Sequence, residues 1–170
     1  SYDDVPYFRL ADAYMMKAEC LLRLGQNEQL AAELVTQVRA RNFKANPEKA
    51  TITAAQLKDG SKYNYGHREN QGKLGEEDKW IIREEGGSDI ELGGLLDELA
   101  KEFVCEAHRR DDIIRFTIKG TNQNVYNGKS WFCKDAVADK NDRHMDIFPI
   151  PKSALDGNPK LKQNPGYDGN

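Results

Sequence analysis

Apolar side chains recur at helical spacing from residue 92 to residue 116, and this is the stretch around which the chain is organised. At about 100° of turn per residue, Leu92, Leu95, Leu96, Leu99, Phe103 and Ala107 share one face. Burying the large members contributes about 1.5–3 kcal/mol each, so this face predicts a second apolar surface lying against it. The same projection places Glu106 inside the apolar arc and Glu102 at its edge. An unpaired carboxylate there is costly, which predicts a basic partner, with Arg9 and Arg39 as candidates for Glu106. Acidic Asp97, Glu98 and Glu102 come early and Arg109, Arg110 and Arg115 late, a polarity that suits the helix dipole. A break is expected near Asp111, with a restart over residues 113–116.

From Phe8 a second helical pattern begins, with Leu10, Ala11, Tyr14, Met15, Ala18, Leu21 and Leu22 on one broad face and Gly25 as a left-handed cap. Met16, Cys20 and Leu24 lie outside that arc, which predicts cover on two sides. A further helix follows to about Arg41, with Leu30, Leu34, Val35 and Val38 inward. Helices joined by so short a turn are antiparallel neighbours. Ala11, Tyr14, Ala18, Gly25 and Ala32 are arranged as in a tetratricopeptide-type pair.

Thr53 and Gln56 form a capping-box pattern opening a short helix that Gly60 ends. Residues 61–94 are rich in glycine and charge and hold no sustained period, with a short strand or helical turn at 79–83. Residues 117–143 are again irregular. Pro149 and Pro151 then force an extended segment, Ser153 with Asp156 is expected to cap one helical turn, and Asn158-Pro159 stops it. The fold class is all-α: a tetratricopeptide-like helix pair, a long central helix, long irregular loops and an extended proline-rich C-terminal segment.

The 170 residues suit a single domain, 1–170. A net charge of −3 provides no basic stripe, so nucleic acid is not an expected partner. The longest apolar run is far below the roughly 18 residues that cross a bilayer. Three cysteines make no disulfide framework; Cys20 and Cys105 are expected as small core residues, and Cys133 lies in a loop. No cysteine and histidine spacing suits zinc, and no cofactor motif stands out. Gly128-Lys129-Ser130 lacks the upstream glycine of a phosphate loop, with Gln123 in its place. Asp139, Asn141, Asp142 and Asp146 offer oxygen ligands, but Arg143 interrupts a calcium-loop pattern.

Three blocks, RLADAYMMKAECLLRLG (residues 9–25), LLDELAKEFVCEAHRRDDIIRF (95–116) and MDIFPIPKSALDGNPKLKQNPGY (145–167), resemble in order the C-terminal region of the SusD/RagB family of outer-membrane nutrient-binding lipoproteins. PIP followed by NP and QNPGY is the most specific of these matches. The family's EGHRR-like tract reads EAHRR here, with Ala107 in the glycine's place. The resemblance implies a non-enzymatic glycan-binding protein at the outer face of the outer membrane, lipid-anchored through an N-terminal region, the chain being part of a longer parent. It also implies delivery of oligosaccharide or polysaccharide to a TonB-dependent, SusC-like channel.

Sugar recognition needs flat apolar surface for the pyranose CH face and planar hydrogen-bonding groups for the hydroxyls. Tyr63, Tyr65 and Trp80 in the first loop, and Tyr126 and Trp131 in the second, are the candidate ligand-binding residues; each ring either faces outward or tucks in to close its loop. Glu102, Glu106, His108, Arg109 and Asp112 are read as a structural polar network rather than an acid/base site, since no nucleophile or oxyanion-binding turn accompanies them. The alternative function is a helical-repeat module that binds peptides or partner proteins, and a weaker third is a glycosidase with paired carboxylates.

Overall fold

The structure is a computed structural model that describes residues 8–65, 68–69, 81–82, 84–129 and 143–167. Helix α1, Leu10–Leu24, and helix α2, Glu28–Ala40, form the N-terminal pair. Gly25 caps α1 at φ 62°, donating to Leu22 O, while Gln26 N reaches back to Leu21 O, so the chain reverses within three residues. Asn27 then caps α2 by accepting from Leu30 N. After a 3-10 turn, Pro47–Ala50, the expected capping box of Thr53 and Gln56 opens helix α3, Ala54–Lys58.

The central stretch is two helices rather than one. Helix α4 spans Gly93–Glu102 and helix α5 spans Arg109–Arg115. The break falls at residues 103–108 instead of near Asp111, because Cys105 and Ala107 both adopt φ 63°, a left-handed backbone that no α-helix accommodates. Ala107 is therefore exposed and leaves the apolar face, whereas Leu92, Leu95, Leu96, Leu99 and Phe103 are buried. They meet Met15, Ala18, Leu22, Val35 and Val38 of the first pair, and Leu57 of α3, in one core. A left-handed alanine costs roughly 1–2 kcal/mol, and glycine gives back part of that as unfolded-state entropy, so Ala107→Gly should raise stability by about 0.5–1 kcal/mol, read as a higher urea midpoint.

α4 carries glycines at its start for a packing reason invisible to periodicity. A Cβ on Gly93 would stand 2.0 Å from Ser61 N, and one on Gly94 would stand 1.9 Å from Gln56 O. Backbone touches backbone here, which lays α3 and the 61–65 segment against α4.

Beyond α5, bridges pair Ile90 with Ile118 and Thr117 with Asn124, and helix α6, Val125–Gly128, follows. The expected short element near 79–83 is a strand: β1, Arg68–Glu69, and β2, Ile81–Ile82, pair antiparallel as a minor hairpin on an otherwise helical fold.

The proline-rich segment is a self-closed loop. Gln163 and Ile150 exchange two hydrogen bonds of 2.8 and 3.0 Å, Asn164 Nδ2 donates to Phe148 O, and Tyr167 Oη donates to Ile147 O. Gly166, at φ 85°, lies so close to His144 that a Cβ would sit 2.5 Å from it. Each polar or glycine position of QNPGY thus has a structural task. Helix α7, Lys152–Gly157, starts after Pro151, so Ser153 lies inside it instead of capping it. The loop is rooted through Arg110, whose Nη2 donates to Met145 O and Asp146 O, and through Asp146, which accepts from Asn124 and Asn127.

Five residues expected to be covered are exposed. Leu10 is 68% exposed, and Met16 and Leu24 are also on the surface, so the outer face of α1 is uncovered by the described residues. Cys20 lies on that same outer face and Cys105 in the left-handed turn, and both are exposed.

Candidate functional site

Arg9 stands immediately before α1 and reaches the turn between α4 and α5. Its Nε donates to Glu106 Oε2 at 2.9 Å and its Nη2 to Glu106 Oε1 at 2.7 Å, a two-pronged pair. Its Nη1 meets Glu102 Oε1 at 2.5 Å, its Nη2 meets Glu102 O at 2.9 Å, and the guanidinium lies 4.8 Å from the Phe103 ring centroid. These bonds from Arg9 hold the Glu106 carboxyl below the ordinary carboxylate range. Arg41 also bonds Glu102. Arg39, the other candidate partner for Glu106, instead joins Glu98 at 2.6 Å and bonds Ala50 O.

The remaining members of this group have separate partners. His108 lies 4.8 Å from Phe103, ring to ring, with Nε2 3.8 Å from Asp12 Oδ1. Arg109 donates to Tyr65 Oη at 2.8 Å and to Leu96 O. Asp112 is buried and pairs with Arg115 at 3.0 Å, which also holds Glu19 of α1. Burial pushes the Asp112 carboxyl up, and its Oδ2 has no partner among the described residues. Glu106 and Asp112 thus bind different cations on different sides of the turn, an arrangement unsuited to shared acid/base chemistry.

The aromatic candidates separate by burial. Tyr65 and Tyr126 are only 7% and 8% exposed, so neither ring offers a free face to a sugar. Tyr65 closes its loop through Arg109 and a bridge to Gly86, and burial raises its phenol pKa. Tyr126 lies 5.1 Å from the Arg110 guanidinium. Tyr63 is 51% exposed. Its position is fixed from below: buried Asp97 accepts from Ser61 Oγ at 2.5 Å and Lys62 N at 2.9 Å, and Tyr63 N donates to Ser61 Oγ. Trp80 and Trp131 lie outside the described residues, as do His67, Cys133, Ser130, Asp139, Asn141 and Asp142. Lys129 is buried and bound to Asp89 and to Glu85 O, which leaves its ammonium committed within the fold.

Beside Tyr63 lies a feature the sequence reading missed. Lys101 Nζ stands 5.8 Å from the Tyr63 ring centroid and also lines a cavity of about 300 Å3 between α1, α2 and α4. Met15, Val35 and Val38 form its apolar floor and Phe43 a wall, while Arg39, Asn42, Glu98, Lys101 and Glu102 supply its polar groups. Helical projection contained a signal: Arg39 follows Val35 by one turn, and Glu98 lies between Leu95 and Leu99. Among the described residues no group of three metal-ligating side chains comes together, and no helix is long and apolar enough to cross a membrane.

A family model described as the SusD family matches residues 1–167, and the chain belongs to that family. It is similar to the starch-binding protein SusD of Bacteroides thetaiotaomicron, with 27% identity over 164 residues. The match takes in 96% of this chain and 22% of that protein, so the chain spans under a quarter of the relative's length. No solved structure gives a significant match.

Proposed function

We propose that the chain is part of a surface protein that binds glycans without cleaving them and passes them to a TonB-dependent outer-membrane transporter, the parent being lipid-anchored and outward-facing. Similarity to a protein named for starch binding carries the reading. Tyr63 supports it from the structure: an exposed aromatic on a backbone pinned by Asp97 offers a stacking face at little ordering cost. The carboxylates of the cavity between α1, α2 and α4 support binding rather than cleavage. Glu98 and Glu102 come from successive turns of one wall, and each faces two cations, whereas glycosidase carboxylates flank the scissile bond from opposite sides.

The test is affinity electrophoresis of the chain through gels containing starch, xylan, mannan or pectin. Retardation by at least one polysaccharide is expected, and Tyr63→Ala should weaken it about tenfold, the value of one stacking contact of ~1–1.5 kcal/mol. Unretarded migration in every gel would remove the reading.

A second reading draws on α1. Exposed Leu10, Met16 and Leu24 form an apolar stripe that suits a further helix, from the parent chain or from a partner protein. Burial of Tyr65 and Tyr126 also favours this module over a surface lined with sugar-binding rings.

A further inference from the structure

We infer that the closed C-terminal loop is a membrane-contact surface: exposed Ile147, Phe148 and Leu161 enter the interfacial layer of an anionic bilayer, and Lys152, Lys160 and Lys162 meet its headgroup phosphates. The inference goes beyond the glycan-binding reading and does not depend on it. Ile147 is 63% and Phe148 67% exposed, and Leu161 is exposed on the returning arm of the loop. So much apolar surface on one loop of a folded chain marks a contact site. The backbone that carries it is already fixed. Gln163 is bonded to Ile150, Asn164 Nδ2 donates to Phe148 O, and Tyr167 Oη donates to Ile147 O. The Arg110 guanidinium lies over the Phe148 ring at 4.1 Å, which braces the ring from within and leaves the rest of it open. Presenting these side chains to a bilayer therefore costs little further ordering.

Charge selects the partner. Residues 147–167 carry three lysines, Lys152, Lys160 and Lys162, against one carboxylate, Asp156. All are exposed, and the lysines make no ion pair among the described residues. The chain as a whole stands at −3, so an anionic surface is attracted to this loop while the net charge repels it. The kind of cation separates lipid from protein. Protein interfaces favour arginine, whose fork fixes a geometry, and are depleted in lysine. The arginines beside the loop are committed inward: Arg143 to Asp146 at 2.6 Å, and Arg110 to Met145 O and Asp146 O. Three free ammonium groups on flexible stems suit a field of phosphates with no fixed arrangement. Their stems snorkel, which lets Ile147 and Phe148 descend below the headgroups.

The experiment is co-sedimentation of the whole chain with vesicles of phosphatidylcholine alone and of phosphatidylcholine with phosphatidylglycerol in equal parts, at low and high salt. Wild type is compared with Ile147→Ser and with Lys160→Glu plus Lys162→Glu. The control is Lys17→Glu plus Lys44→Glu, at two exposed lysines elsewhere that also make no ion pair among the described residues. Circular dichroism checks each fold. Sedimentation is expected with the mixed vesicles only, weakened by salt. Lys160→Glu plus Lys162→Glu should weaken it at least about tenfold, since each lysine near an anionic surface is worth about fivefold. Ile147→Ser should weaken it at least about threefold, and the control should stay within about twofold of wild type. Equal loss from both lysine pairs would overturn the assignment to this loop. Full binding by Ile147→Ser would overturn apolar insertion, and equal sedimentation with neutral vesicles would overturn the choice of an anionic partner. No sedimentation with either vesicle would overturn the inference outright and assign this face to a protein partner or to the rest of the parent chain. None of these results bears on glycan binding, which gel retardation decides.

Discussion

Gly94→Ala is expected to destabilise the chain by at least about 3 kcal/mol, the upper range for forcing atoms into a packed interior. The added methyl would lie 1.9 Å from Gln56 O, 3.0 Å from Gln56 C and 3.1 Å from Leu57 Cα. None of these can rotate away as a side-chain end can, so α3 must separate from α4. Gly94 N also donates to Asp59 O at 3.0 Å, a bond lost with the separation. Gly60 and Gly93 extend the same seam, since a Cβ on Gly60 would stand 2.2 Å from Ser88 O. Gly157 in α7 is the control, because a Cβ there meets nothing within 4 Å. Urea denaturation should show Gly157→Ala close to wild type and Gly94→Ala unfolded over most of the range. Equal midpoints would refute the close backbone contact.

Arg9→Ala should cost about 2–3 kcal/mol, somewhat less than the 3–5 of a fully buried pair. The discount has two causes: side chains of Arg9 and Glu106 are 22% and 32% exposed, and Glu102 keeps Arg41. Arg9→Lys should recover less than half, since an ammonium cannot make the two-pronged bond to Glu106. The pair also has a pH signature. Arg9 holds the folded-state Glu106 value below its ordinary 4.5. Its stabilisation is therefore complete above about pH 4.5 and disappears as pH falls through the lower folded value. Arg9→Ala should accordingly flatten the acid limb of the stability curve, measured by urea titrations between pH 3 and 7. Asp112 acts in the opposite sense: burial raises its folded value, so its contribution favours the fold in acid and is lost as pH rises through that value. An acid limb unchanged in Arg9→Ala would mean that the pair contributes nothing to folding.

The helix pair and the apolar face of α4 were legible because hydrophobic spacing and the Gly25 cap act within a few residues of sequence. Arg9, 97 residues away, is the cation expected for Glu106, but the apolar arc behind that expectation ends with α4, and Glu106 lies in the turn beyond it. The break at residues 103–108 was misplaced because neither Cys105 nor Ala107 belongs to a type that announces a left-handed backbone. Exposure of Leu10, Met16 and Cys20 was equally hidden, since an apolar stripe does not say what covers it. In the candidate site, Tyr63, Tyr65 and Tyr126 look alike in sequence, and only tertiary contacts separate the exposed ring from the two buried ones. The cavity escaped notice because its lining joins the first helix pair to α4, far along the chain, and charged groups at the helix edges read as solvated faces.

Calorimetric titration of the chain with the oligosaccharide form of whichever polysaccharide retards it, followed by chromatography of the recovered ligand, addresses capture without cleavage in one sample. Saturable heat with every ligand chain recovered at its starting length is the expected result. Shortened chains, or no heat at millimolar ligand, would contradict it.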